Sequence, residues 1–88
     1  MNHHHRKVLH QLFQHPVNAN IAFHDAEAVL KELGAEIETR HGSRIAVTLN
    51  GHTAAFHQGG HSLPKEEVQQ VRKFIETCGI EPERDYPL

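Results

Sequence analysis

The dipeptide Asn50-Gly51 restricts the fold of this chain more than any other feature of the sequence. Asn-Gly favours a two-residue type I′ turn, in which both residues take a positive φ, and such a turn joins two antiparallel strands. Apolar and polar residues alternate on both sides of it, as a half-buried hairpin requires. Counting outward from the turn gives the expected cross-strand pairs, which are Leu49 with His52, Val47 with Ala54, and Ile45 with Phe56.

An earlier strand pairs with this hairpin, and the hydrophobic pattern selects its register. A two-residue loop would turn Ile37 to the polar side, whereas a three-residue loop over residues 41–43 keeps Ile37 on the apolar face. A slip of one residue would turn every side chain of the strand over, so the second loop is strongly favoured. The sequence therefore predicts a three-stranded antiparallel sheet with Arg40, Arg44 and His57 in one row on the face away from the core.

Residues with helical periodicity lie on both sides of the sheet segment. The first predicted helix ends near Phe13, the second begins with Asp25 as its cap and ends at Gly34, and the last begins near Ser62 and ends at Gly79. The predicted order is α-α-β-β-β-α. We therefore expect an α+β fold with the helices packed on one face of the sheet.

With 88 residues the chain has room for one hydrophobic core. We predict a single domain over residues 1–88, with its core at about 23–80 and a tail at 81–88 that has little regular structure. The only cysteine, Cys78, lies on the apolar stripe of the last helix, which favours packing in a reducing compartment. No apolar run approaches the roughly 18 residues that span a bilayer. We expect a cytoplasmic protein without a membrane partner.

The row of Arg40, Arg44 and His57 is the candidate site for chemistry. Guanidinium groups bind phosphate oxygens in pairs, and imidazole exchanges a proton near neutral pH. Beside the row, Gly59 and Gly60 can bring backbone amides to an anion, with Lys65 in the first turn of the last helix. The alternative is that these are ordinary solvent-facing side chains, neutralised by the glutamates of the first strand.

Other kinds of chemistry find little support in the sequence. The net charge of −2 argues against a general nucleic-acid coat protein, so any contact with nucleic acid must be local. His52 and His57 point to opposite faces in the predicted register, and no cysteine or carboxylate completes a tetrahedral set, so we expect no metal site and no cofactor. We assign no function to the histidine run at residues 3–5.

The segment from Leu33 to Ile80 resembles the HicA toxins of bacterial toxin-antitoxin pairs. The shared pattern is a helix that ends in glycine, a tight turn at Gly42-Ser43, two paired strands, a histidine at the end of the third strand, and a helix that ends in Gly79-Ile80. The resemblance implies a fold like that of double-stranded-RNA-binding domains. It also implies a metal-independent ribonuclease that cleaves mRNA and is held inactive by a HicB antitoxin.

One position departs from the HicA pattern. In that family a histidine usually follows the Gly-Ser turn, whereas Arg44 and Ile45 follow it here, and His57 matches the family's other histidine. Our leading hypothesis is a HicA-like toxin in which Arg40 and Arg44 hold the scissile phosphate and His57 is the general acid or base. The alternative is a non-catalytic RNA-binding or protein-interaction module on the same scaffold.

Overall fold

The turn at Asn50-Gly51 forms as predicted in the computed structural model, which describes residues 1–18, 20–57 and 62–88. Asn50 has a φ of 52° and Gly51 a φ of 81°, the positive values that a type I′ turn needs. The chain order is the predicted α-α-β-β-β-α, followed by one short helix. The elements are α1 (His3–Leu12), α2 (Phe23–Glu32), β1 (Glu36–Thr39), β2 (Arg44–Leu49), β3 (His52–His57), α3 (Lys65–Thr77) and α4 (Pro82–Asp85).

The three strands form an antiparallel sheet in the order β1-β2-β3, and both predicted registers are confirmed. Leu49 pairs with His52 and Arg44 with His57 in the hairpin. Thr39 pairs with Ile45 between β1 and β2, so the loop there has the predicted length. The sheet therefore presents alternate residues to two different environments.

One face of the sheet is buried under the helices, as predicted. Ile45, Val47, Leu49 and Phe56 belong to the same hydrophobic core as the apolar residues of α1, α2 and α3, and Ile37 and Ala54 pack at its margin. The Phe56 and Phe74 rings meet edge to face with centroids 5.8 Å apart, a favourable aromatic arrangement. No helix in the described part of the chain packs on the opposite face. All the helices of the described residues thus stabilise one side of the sheet and leave the other side exposed.

The predicted core at 23–80 is too narrow at its N-terminal end. Val8, Leu9 and Leu12 of α1 are fully buried in the common core. Their spacing puts them on one side of an amphipathic helix, which α2 and α3 cover. The helix α1 is therefore part of the domain's hydrophobic core.

Two of the predicted helix starts are wrong. The N-cap of α2 is Ala22, and Asp25 lies inside the first turn, where its charge still suits the helix dipole. The helix α3 begins at Lys65 because residue 62 is used differently: Ser62 forms an isolated bridge with Ala22, and the Leu63 amide donates to the Ile21 carbonyl at 2.8 Å. Paired backbone of this kind cannot also be helical.

The tail is more ordered than the sequence indicated. Residues Pro82–Asp85 form the short helix α4, which packs on α1. Arg84 and the Glu81 amide hold the Asp85 carboxylate, and these contacts lower the pKa of Asp85 to about 2. Tyr86 is half-buried and its carbonyl accepts a hydrogen bond from His10 Nε2 at 2.8 Å, whereas Leu88 remains exposed.

Candidate functional site

The predicted row of Arg40, Arg44 and His57 exists on the exposed face of the sheet. The Arg40 amide donates to the Arg44 carbonyl at 2.8 Å, and Arg44 is the direct cross-strand partner of His57. All three residues are exposed. Side chains of residues directly opposite each other on neighbouring strands point to the same face of a sheet, so all three side chains leave the sheet on the same side. The predicted register is therefore the one that places Arg40, Arg44 and His57 in one row.

The turn before β2 adds a hydroxyl group to this row. Gly42 takes a φ of 66°, which lets the chain reverse within the residues 41–43. The reversal places Ser43 Oγ 3.2 Å from His57 Nε2. This contact restrains the exposed imidazole ring, and Ser43 is not one of the site residues predicted from the sequence.

The helix α3 contributes a carboxylate, Glu67, that is also not among the site residues predicted from the sequence. Glu67 Oε1 accepts a hydrogen bond from the His57 backbone amide at 3.0 Å. The side chain is half-buried at the end of β3. Its one sequence signal is that Glu67 stands four residues before the buried Val71, which puts it on the flank of the apolar stripe of α3.

Arg44, His57 and Glu67 meet in a small open cleft. The cleft has a volume of about 240 Å³. Gln70, one turn after Glu67, also lines it. Among the described residues, the lining consists of Arg44, Ala55, Phe56, His57, Glu67 and Gln70. A cation, an imidazole and a carboxylate thus share one solvent-accessible space.

A wider depression lies next to this cleft on the exposed sheet face. It has a volume of about 550 Å³ and includes the side chains of Arg40 and Arg44. Its floor is formed by small residues, because Ala46 and Ala55 are paired across β2 and β3. Arg44 lines both the cleft and the depression. An extended polyanion could therefore pass from one to the other across Arg44.

The charges of the row are only weakly compensated by neighbouring acids. Arg40 Nε is 3.8 Å from Glu38 Oε1, and both side chains are mostly exposed, so this ion pair contributes little. Within residues 1–18, 20–57 and 62–88, Arg44 makes no salt bridge and no side-chain hydrogen bond. The Arg44 guanidinium is thus open to a ligand anion in the described part of the chain.

The remaining predicted site residues are less closely associated with the row. Lys65 is the exposed first residue of α3, and among the described residues it does not line the cleft or the depression. Gly59 and Gly60 lie outside the described residues. Cys78 is buried with its Sγ 3.3 Å from the Leu49 carbonyl, and burial raises the pKa of its thiol, as expected for a packing residue.

The comparisons with known proteins leave the site to be interpreted from its own geometry. The sequence matches no protein-family model, no curated protein and no solved structure. Within the described ranges, none of the helices has the length and apolar character needed to cross a membrane.

Proposed function

We propose that this protein is a HicA-like toxin, a cytoplasmic endoribonuclease that cleaves mRNA without a metal ion and is neutralised by a HicB-type antitoxin. The observation that carries the proposal is the exposed row of Arg40, Arg44 and His57 on the sheet face that no described helix covers. Two guanidinium groups suit the oxygens of a phosphodiester. An imidazole beside them suits proton transfer to or from the reacting oxygens.

The acidic composition does not oppose this function, because the positive charge is local. The formal net charge is −2, yet both arginines of the sheet and His57 lie in a single row. A small basic area can hold a few phosphates, although it gives weak general affinity for nucleic acid. We therefore expect binding that is sensitive to salt and confined to this face.

A cleavage assay with the purified protein tests the proposal. Synthetic single-stranded RNA should be cut in the presence of EDTA, giving a 2′,3′-cyclic phosphate and a 5′-hydroxyl, because attack by the 2′-oxygen needs only proton transfer and charge stabilisation. A 2′-deoxy substitution at the scissile nucleotide should block cleavage. Cleavage that requires a divalent metal, or that proceeds at the deoxy position, would contradict the proposal.

The second candidate is a non-catalytic RNA-binding or protein-interaction module. It is favoured by one observation, namely that Arg44 and not histidine follows the Gly42-Ser43 turn. This candidate has the same phosphate-binding arginines and therefore also binds RNA. RNA that is bound by the pure protein but never cut would support it over the nuclease.

Replacing Arg44 by Lys should weaken binding of a non-cleavable RNA by about tenfold, because an ammonium group cannot reproduce the two parallel bonds of a guanidinium to phosphate. Fluorescence anisotropy with a 2′-deoxy-substituted RNA measures this. Arg72→Lys is the matched control, since Arg72 belongs to α3 and pairs with Glu76. Equal affinities of the Arg44→Lys and unsubstituted proteins would show that Arg44 does not hold phosphate.

We also propose that the antitoxin covers the row, because blocking the cationic site is the direct way to inhibit a nuclease. Reversal of charge in Arg44→Glu should then weaken the complex with a co-expressed HicB-type protein by about 10²-fold. Isothermal titration calorimetry measures the affinity, with Lys31→Glu at the end of α2 as the control. A complex that tolerates Arg44→Glu unchanged must use another surface.

A further inference from the structure

Cleavage of RNA at the row of Arg40, Arg44 and His57 needs a second proton-transfer group besides His57. In transesterification of RNA, the 2′-hydroxyl loses a proton as it attacks phosphorus, and the leaving 5′-oxygen gains one. A single imidazole can serve only one of these positions at a given moment. Of the residues that the structure describes, the Glu67 carboxylate is the other group of suitable chemistry in the cleft, and it lines the same space as His57 and Arg44.

We propose that Glu67 is the general base of the reaction and His57 the general acid, an inference that rests on the proposed ribonuclease function. Glu67 removes the 2′-proton, and the 2′-oxygen forms a bond to phosphorus. The bond from phosphorus to the 5′-oxygen breaks, and the imidazolium of His57 donates its proton to that oxygen. Arg44 stabilises the charge on the phosphoryl oxygens. The products are a 2′,3′-cyclic phosphate and a free 5′-hydroxyl, with no cofactor consumed.

The position of Glu67 suits this role. Its Oε1 is held by the His57 backbone amide at 3.0 Å, which fixes the carboxylate at the end of β3. Each carboxylate has a second oxygen that can still accept a proton. Glu67 belongs to the helix α3 and His57 to the strand β3, so the two side chains reach the cleft from different elements. A phosphodiester bound in the cleft can therefore contact both groups.

The contact with the His57 amide makes a clean experiment possible. Glutamine in place of Glu67 keeps a carbonyl oxygen that accepts from the His57 amide, but it cannot take a proton. Glu67→Gln thus removes the base and retains the anchor, while Glu67→Ala removes both. Glu66→Gln is the matched control, since Glu66 is the exposed neighbour in the same helical turn.

We expect Glu67→Gln to lower the single-turnover cleavage rate by about 10²-fold, the usual contribution of a general base. The affinity for a 2′-deoxy-substituted RNA and the melting temperature should stay at the values of the unsubstituted protein. Glu66→Gln should cleave at the full rate.

Several outcomes would overturn the inference. Full activity of Glu67→Gln would exclude Glu67 as the base, and the nuclease proposal would survive if His57→Gln were still inactive. If the slower cleavage by Glu67→Gln came with a similar fold-loss of RNA affinity, or with a lower melting temperature, Glu67 would have a structural role only. Absence of cleavage by the unsubstituted protein would overturn both this inference and the proposed function.

Discussion

Replacing His57 by Gln should reduce RNA cleavage by about 10³-fold while leaving the domain folded, because proton donation to the leaving oxygen is lost. His57 is exposed on the sheet face away from the core, so the substitution removes little packing. Glutamine can still form a hydrogen bond with Ser43, which limits the change to the proton transfer itself. Single-turnover cleavage of a labelled RNA measures the effect.

His52→Gln is the appropriate control for this experiment. His52 is the exposed first residue of the same strand, and its side chain points to the other side of the sheet. It should leave cleavage and the melting temperature unchanged. If the His57→Gln protein cut RNA as fast as the unsubstituted one, the assignment of His57 would be wrong.

The largest expected effect on stability comes from Phe56→Ala, which should lower the free energy of unfolding by about 3–5 kcal/mol. Phe56 is buried on the core face of β3 and its ring contacts Phe74, so truncation leaves a cavity and removes an aromatic contact. A domain of this size has little stability to spare. Chemical denaturation measures the loss.

Thr53→Ala, in the same strand, is the control for Phe56→Ala. Thr53 is exposed and its Oγ1 lies 3.1 Å from Thr48 Oγ1 across the hairpin. We expect this substitution to change the free energy of unfolding by less than about 1 kcal/mol. A larger loss for Thr53→Ala than for Phe56→Ala would mean that the two faces of β3 have been assigned the wrong way round.

The sheet could be predicted from the sequence because its register follows from local rules. Asn50-Gly51 specifies the hairpin, and the need to keep Ile37 on the apolar face specifies the length of the loop before β2. The cross-strand neighbours of Arg44 then follow by counting residues outward from the two turns. Glu67 could not be found in this way. Its contact with His57 joins residues ten apart through packing of a helix against the end of a strand, and no local rule predicts the angle of that packing.

The errors at the helix ends have a similar physical origin. Ser62 followed by Pro64 fits a helix start, but the pairing of Ser62 with Ala22 stabilises an extended backbone that sequence periodicity does not reveal. The helix α4 has only four residues, too few for a periodic pattern, and depends on packing against α1. Long-range contacts decided both cases.

Asn50 has a consequence for which residues the hairpin can tolerate. Besides its positive φ, its Nδ2 donates to the Cys78 carbonyl at 2.9 Å, so the hairpin tip is fastened to the end of α3. At the other end, Glu67 joins the start of α3 to His57. Glycine at position 50 would accommodate the positive φ of the turn but could not form the hydrogen bond to the Cys78 carbonyl. Aspartate also lacks the side-chain amide that donates this bond. The alignment of α3 along the hairpin, and with it the spacing between His57 and Glu67, therefore depends on an amide side chain at the far tip of the sheet.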